Sequence, residues 1–197
     1  MSTTRRHGLR WAIAAACVFM AGTDVALWNY FGCGAQALFS EQAIVFDDAQ
    51  LHLPDALAGA TGRIRVVHFW DPACTVCNRE TGAHLSYLIS MYRRANVDFY
   101  AIRRPGTQGE LPAHLRGRVT ELPTLDGIEH IPASLAVAIW DAGGHLAYAG
   151  PYSIGMVCNS ANSFVEPILD KLVAGQTVRP RGGLLAVGCY CPWHDPR

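Results

Sequence analysis

The first pattern along the chain is a continuous apolar run from Trp11 to Met20. Arg5, Arg6 and Arg10 precede it, and it continues less purely through Ala26, Leu27, Trp28, Tyr30 and Phe31. As a helix, residues 11–31 would reach about 30 Å at about 1.5 Å per residue, so a transmembrane helix is predicted. Asp24 interrupts the run near its far end, where a carboxylate reaches the interface beside the amphipathic rings of Trp28 and Tyr30. Beyond it the period shortens. Ala43 to Phe46 is a candidate leading strand, and the β-branched and aromatic run Ile64 to Trp70, cut off by Asp71-Pro72, predicts a buried strand. Leu85, Leu88, Ile89 and Tyr92 recur at helical spacing, so a helix is expected from near residue 74 to Arg93 or Arg94. Val97 to Ile102 gives a second strand, after which Pro105, Gly106 and Gly109 open an irregular stretch. Leu135 to Trp140 and His145 to Tyr148, joined by Asp141-Ala142-Gly143-Gly144, predict an antiparallel hairpin. A last helix is expected from near Asn162, where Ser163 and Glu166 have capping-box spacing, to Gly175. The order is β-α-β, then β-β-α: an α/β domain with a central mixed sheet flanked by helices. Four segments follow: a cytoplasmic N-terminus and signal anchor (1–31), a connector (32–62), the domain (63–175) and a cysteine-containing tail packed on it (176–197).

Composition narrows the function classes. With 197 residues, half of them apolar, the chain fits one compact domain plus an appended segment. Its 16 basic and 16 acidic side chains cancel. No cluster of Lys or Arg after residue 10 would track a nucleic-acid backbone, so nucleic acid is excluded as a partner. Arginines before the apolar run, with Glu41, Asp47 and Asp48 after it, place the N-terminus in the cytoplasm and the domain outside. A cleaved signal peptide is the rival, because Ala35-Gln36-Ala37 has the small-x-small form a peptidase accepts. Twin-arginine export from Thr4-Arg5-Arg6 is a weaker alternative.

Seven cysteines are too unevenly spaced for a scaffold built of disulfides, so some are expected to do chemistry. Cys74-Thr75-Val76-Cys77 directly follows a strand and opens a helix. Unpaired N–H groups and the partial positive charge at a helix N-terminus lower a thiol pKa, and Cys74 feels that field most. Two intervening residues put the sulfurs one turn apart, so Cys77 can resolve a mixed disulfide formed at Cys74. The rival is a static disulfide or half of a zinc site, but such a site needs a second ligand pair of similar form. Exchange requires no dissociable cofactor.

Phe69-Trp70 followed by Cys-x-x-Cys resembles the strand-to-helix junction of thioredoxins and of membrane-tethered periplasmic thioredoxin-like proteins. The resemblance covers residues 63 to 175. It implies a thioredoxin-like fold, disulfide exchange with protein thiols or disulfides in the periplasm, an inner-membrane anchor through residues 11–31, and Cys74 as the exposed nucleophile. The stretch from Gly150-Pro151-Tyr152-Ser153 to Cys158, and the ending Gly188-Cys189-Tyr190-Cys191-Pro192-Trp193, are similar to an uncharacterised proteobacterial family of anchored domains. Thioredoxins carry a buried carboxylate before Phe-Trp, whereas this chain has His68, a candidate acceptor for the Cys77 proton or a satisfied strand histidine. The family also places a cis-proline beside the disulfide. Pro132 is favoured for that place, and Leu135 competes by its distance from the hairpin turn.

Cys189 and Cys191, with Cys158 and His194, leave three readings open: a structural staple from Cys158 to one of the tail cysteines, a second redox pair relaying electrons to Cys74 and Cys77, or a Cu(I) site assisted by His194. Two rival functions remain beside exchange. One is a copper metallochaperone or assembly factor using Cys74, Cys77 and a nearby histidine, and the other is a non-catalytic binding module. Arg103-Arg104 reads as a solvated loop pair.

Overall fold

The computed structural model describes residues 3–31, 36–39, 50–155, 160–179 and 186–193. The chain divides into two units, Met1–Gly34 and Ala35–Arg197. In the first, helix α1 spans Thr3–Phe31, and its described side chains, residues 10–26, are all exposed. Among the described residues no helix is long and apolar enough to cross a membrane. Gly22, Thr23 and Asp24 dilute the apolar run there, and the Thr23 hydroxyl turns back onto the carbonyls of Phe19 and Met20.

The second unit runs β1 (Gln36–Leu38), β2 (Ile64–Trp70), α2 (Thr75–Met91), β3 (Val97–Arg103), β4 (Thr120–Leu122), β5 (Ala133–Ser134), β6 (Ala136–Trp140), β7 (Leu146–Pro151), α3 (Glu166–Val173), β8 (Val187–Cys189) and β9 (Cys191–Pro192). Five strands form the central sheet in the order β4-β3-β2-β6-β7. Its β2-β3 and β3-β4 pairs are parallel, while β2-β6 and β6-β7 are antiparallel, so the sheet is mixed. Two short pairs stand apart: β1 with β8, and β5 with β9.

Every residue of β2 is buried, because strand alternation sends its side chains into two separate cores. Ile64, Val66 and Trp70 meet Leu85 and Leu88 of α2 and Leu169 and Leu172 of α3. Val67 and Phe69 meet Leu51, Leu53, Leu125 and Ile131 on the opposite face, with Tyr190 and Trp193 of the tail. The expectation of helices flanking the sheet therefore holds for one face. The other is covered by irregular chain and by the tail, whose aromatic residues supply the apolar area a helix would have given.

Other boundaries moved for local reasons. Helix α3 starts at Glu166 rather than near Asn162, because the Phe164 N–H donates to the Tyr152 carbonyl (2.8 Å) and draws that segment onto the sheet. Strand β7 runs three residues past Tyr148, to Pro151. Leu135, expected to open the hairpin, separates β5 from β6 instead with a φ of 66°. The candidate strand Ala43 to Phe46 lies outside the described residues. Gln36 and Ala37, within the alternative cleavage sequence, are part of β1 and pair with Cys189 and Gly188.

Candidate four-cysteine site

Trp70 ends β2, and the next residues are held so that α2 starts at a fixed place. The buried Asp71 carboxylate accepts the Ala73 N–H (2.9 Å), while the Asp71 carbonyl accepts the Cys74 N–H (3.0 Å) and the Asn78 amide (2.7 Å). This turn sets Cys74 at the N-cap of α2, with no side chain capping the helix among the described residues. The N–H groups of the first turn therefore lie open to the sulfurs. Arg104 neutralises Asp71 at 2.9 Å. That corrects the expectation of a solvated Arg103-Arg104 pair: Arg104 is only 23% exposed and serves the cysteine loop.

Cys74 is bonded to Cys191, and Cys77 to Cys189, with Cα separations of 6.0 and 5.4 Å. The two local motifs are thus cross-linked to one another rather than each closed on itself. Cys74, expected to be exposed, is 4% accessible, because the tail lies over it. Cys17 is a free, exposed thiol, and Cys158 and His194 lie outside the described residues.

Backbone pairing seats the tail. Ala133 pairs with Pro192 and Ser134 with Cys191; the Trp193 N–H donates to the Pro132 carbonyl (2.9 Å), and the Ser134 hydroxyl donates to the Cys191 carbonyl (3.2 Å). Trp193 packs edge-on against Phe69 at 6.1 Å, and the Tyr190 hydroxyl donates to the Ser153 carbonyl (2.5 Å). Gly188 is required here, since a Cβ would meet the Gly155 carbonyl oxygen at 2.7 Å. No peptide bond among the described residues is cis. Pro132 meets the tail through its carbonyl, and the expectation of a cis-proline at Pro132 is corrected. Leu135 is buried among the cysteines and donates its N–H to the Phe69 carbonyl (2.9 Å).

His68 lies between Val66 and Trp70 in alternation, so its ring points to the face that carries the cysteines. Its Nδ1 shares a hydrogen bond with the Tyr152 hydroxyl (3.0 Å). Burial drives its pKa down to about 3, so at neutral pH it is an uncharged imidazole and a weaker proton acceptor than the sequence suggested. Farther along that face His84 Nε2 meets Glu166 Oε2 at 3.2 Å, with the Tyr152 ring 5.5 Å from His68 and 6.2 Å from His84. Burial pushes the Glu166 carboxyl up, but hydrogen bonds from His84 and Ser163 outweigh it and hold the pKa at about 2. Sequence reasoning missed Tyr152 and His84. The available signal was a polar residue in the apolar helix stripe that contains Leu85 and Leu88.

A cavity of about 580 Å³ lined by Tyr148, Phe164, Ile168 and Lys171 has no cysteine in its wall.

No curated protein matches the chain. Among solved structures it is similar to a hypothetical protein from Sinorhizobium meliloti 1021, at 16% identity and a TM-score of 0.49 over 82% of this chain and 100% of that one. It is also similar to an uncharacterized conserved protein from Geobacillus kaustophilus, at 13% identity and a TM-score of 0.46 over 83% and 94%. A third is the thioredoxin domain of a thiol-disulfide oxidoreductase from Bacteroides vulgatus, at 14% identity and a TM-score of 0.33 over 59% and 87%. Matched by a family profile across residues 42–193, a span that contains all four clustered cysteines, the chain belongs to the family described as a domain of unknown function, DUF6436.

Proposed function

We propose that this chain is a thiol–disulfide oxidoreductase of thioredoxin-like fold in which Cys74-x-x-Cys77 exchanges disulfides with protein partners and Cys189-x-Cys191 is its built-in exchange partner. The carrying observation is the crossed pairing itself: Cys74 is joined to Cys191 while the chain around Cys191 adds as a strand to β5. That is the arrangement of a mixed disulfide with an extended polypeptide.

The chemistry runs by nucleophilic substitution at sulfur. A partner thiolate attacks Cys191, the more exposed sulfur of that bond, and Cys74 leaves as a thiolate stabilised by the first turn of α2. A second partner thiolate attacks the partner sulfur of the new mixed disulfide, releasing Cys191. The partner is oxidised by two electrons, its two protons pass to Cys74 and Cys191 or to solvent, and one protein disulfide is reduced. The Cys74 thiolate can then attack Cys77 and displace Cys189, which leaves a Cys74–Cys77 disulfide and a reduced tail. The reverse sequence reduces a partner.

Two disulfides in one small domain favour an oxidising compartment, and α1 exposes Trp11, Val18 and Phe19, each more than 70% accessible. We further propose that the domain lies on the periplasmic face of the inner membrane and that residues 11–31 hold it there, although Gly22, Thr23 and Asp24 leave α1 short of the apolar length of a crossing helix. Carbonate extraction of membranes, with protease added from the outer side, tests this; release of the chain into the soluble fraction rejects the anchor.

Equilibration across glutathione redox buffers, with alkylation and mass mapping of each cysteine, tests the exchange reading. Crossed disulfides that open at a defined potential support it. Disulfides that stay locked at every potential reject it in favour of a structural role.

A further inference from the structure

We infer that the reduced chain binds one zinc-class divalent cation through the four thiolates of Cys74, Cys77, Cys189 and Cys191.

A zinc site of thiolates needs four sulfurs at about 2.3 Å from the metal in a tetrahedron, which sets them about 3.8 Å from each other. The sulfurs of Cys74, Cys77 and Cys191 already lie within 4.8 Å of one another, and that of Cys189 is bonded to Cys77. Reduction has only to open two bonded pairs by side-chain rotation. The second ligand pair that a Cys-x-x-Cys zinc site requires is thus supplied by the tail, from the far end of the sequence.

The backbone holds this geometry without the disulfides. Cys189 and Cys191 are two apart in extended chain, so both side chains point to the same side, and Cys189 packs in the core beneath α2 with Cys191 against it. Tyr190, between them, points into the opposite core. The bonds from Trp193 to Pro132, from Ser134 to Cys191, from Gly155 to Val187 and from Tyr190 to Ser153 involve no sulfur, so opening the disulfides breaks none of them directly. The freed thiols therefore stay together.

Electrostatics then favours a cation. Four clustered thiolates, three of them buried, repel each other unless a positive charge sits among them, and the nearby charged side chain, Asp71, is already matched by Arg104. The N-terminal turn of α2 helps with the residual negative charge. Four sulfur ligands close the coordination sphere, which marks a structural or protective site rather than one that activates water. All-sulfur tetrahedral ligation selects zinc over harder divalent cations.

The reaction balances in two stages. Two equivalents of a dithiol reductant give four electrons and four protons to the two disulfides and become disulfides themselves. The cation then displaces four protons from the thiols, giving a tetrathiolate of net charge −2. This inference does not depend on exchange with protein partners, because a purely structural site would bind the same ion.

The full chain is reduced with a dithiol under anaerobic conditions, freed of reductant and titrated with Co²⁺ as the probe. One cobalt per chain is expected, with thiolate-to-metal charge-transfer absorption and tetrahedral visible bands, both abolished by one equivalent of Zn²⁺. The spectrum persists in a Cys17→Ser/Cys33→Ser/Cys158→Ser variant and is lost in Cys189→Ser/Cys191→Ser. The oxidised wild-type chain, folded and unsubstituted, binds none. Three results overturn the assignment: no thiolate–cobalt absorption in the reduced chain, a spectrum untouched by the tail substitutions, or its loss in the Cys17→Ser/Cys33→Ser/Cys158→Ser variant. The glutathione titration is run without metal, so either reading can fail alone.

Discussion

Crossed disulfides have an energetic signature that local ones lack. Cys74 and Cys191 are 117 residues apart and Cys77 and Cys189 are 112 apart, so whichever forms first closes nearly the whole domain, worth about 5 kcal/mol of lost chain entropy. The second then closes only the short ring between the two motifs, worth about 2 kcal/mol. Two double variants separate the pairings. Cys74→Ser/Cys191→Ser removes one crossed bond and leaves the other spanning the domain, so it costs about 2 kcal/mol. Cys74→Ser/Cys77→Ser removes both long closures and costs about 7 kcal/mol. If the bonds were instead Cys74–Cys77 and Cys189–Cys191, the order would reverse: the first variant would break both local rings for about 4 kcal/mol and the second only one for about 2 kcal/mol. Guanidinium unfolding of the oxidised proteins, with thiols counted before and after, reads the difference. A Cys74→Ser/Cys77→Ser protein more stable than Cys74→Ser/Cys191→Ser refutes the crossed arrangement.

Three further outcomes are expected. Burial holds the folded pKa of His68 at about 3, against about 6.5 for a free histidine; the unfolded chain therefore binds the extra proton between those pH values, and stability falls by about 1.4 kcal/mol per pH unit on acidification below 6.5. From pH 6.5 to 5, wild type should lose about 2 kcal/mol more than His68→Phe, while Glu166, held at about 2, adds its own loss only below about pH 4.5; equal slopes in the two proteins would contradict a buried neutral His68. Arg104→Leu leaves the Asp71 carboxylate buried and unpaired and should cost about 3 kcal/mol, part of it recovered in Asp71→Asn/Arg104→Leu, and a double variant no better than the single would sink the pairing argument. Gly188→Ala drives a Cβ to 2.7 Å from the backbone oxygen of Gly155, which cannot rotate away; peptide mapping should find the crossed disulfides reduced in yield, and unchanged yield would show that the tail tolerates the clash.

What the sequence made legible was local. Ile64 to Trp70 followed by Cys74-x-x-Cys77 identifies a strand, a turn and a helix start from residues adjacent in the chain, and the hairpin at Asp141 to Gly144 announces itself by turn chemistry. The partners of Cys74 and Cys77 lie more than 110 residues away, and no periodicity within a window of ten or twenty residues encodes that distance. Tail strands of three and two residues are shorter than any pattern can resolve, and Leu135 at a φ of 66° places a left-handed turn on a residue type that gives no warning of it. Arg104 was misread for a related reason: loop charges look solvated until the buried carboxylate they neutralise is located in three dimensions.

The tail strands also show how redox state can reach beyond the sulfurs. Strand β8, which ends in Cys189, pairs along its full length with β1, so Gln36 stands opposite Cys189 and Leu38 opposite Val187. A three-residue pair has few hydrogen bonds of its own and marginal stability in isolation. Its order depends on the anchoring of each strand, and for β8 that anchor is Cys189 bonded to Cys77 together with Tyr190 and Gly188 packed beneath it. Opening that disulfide removes the covalent part of the anchor and leaves the Tyr190 hydrogen bond and the Gly155–Val187 contact. The β1-β8 pair is therefore the part of the fold whose hydrogen-exchange protection should drop first on reduction, ahead of β2, buried along its whole length at the centre of the sheet. Coupling between the cysteines and the segment leading into the domain follows from that ranking: both ends of the domain meet at one short strand pair, and a sulfur bond at its edge decides how firmly they are held.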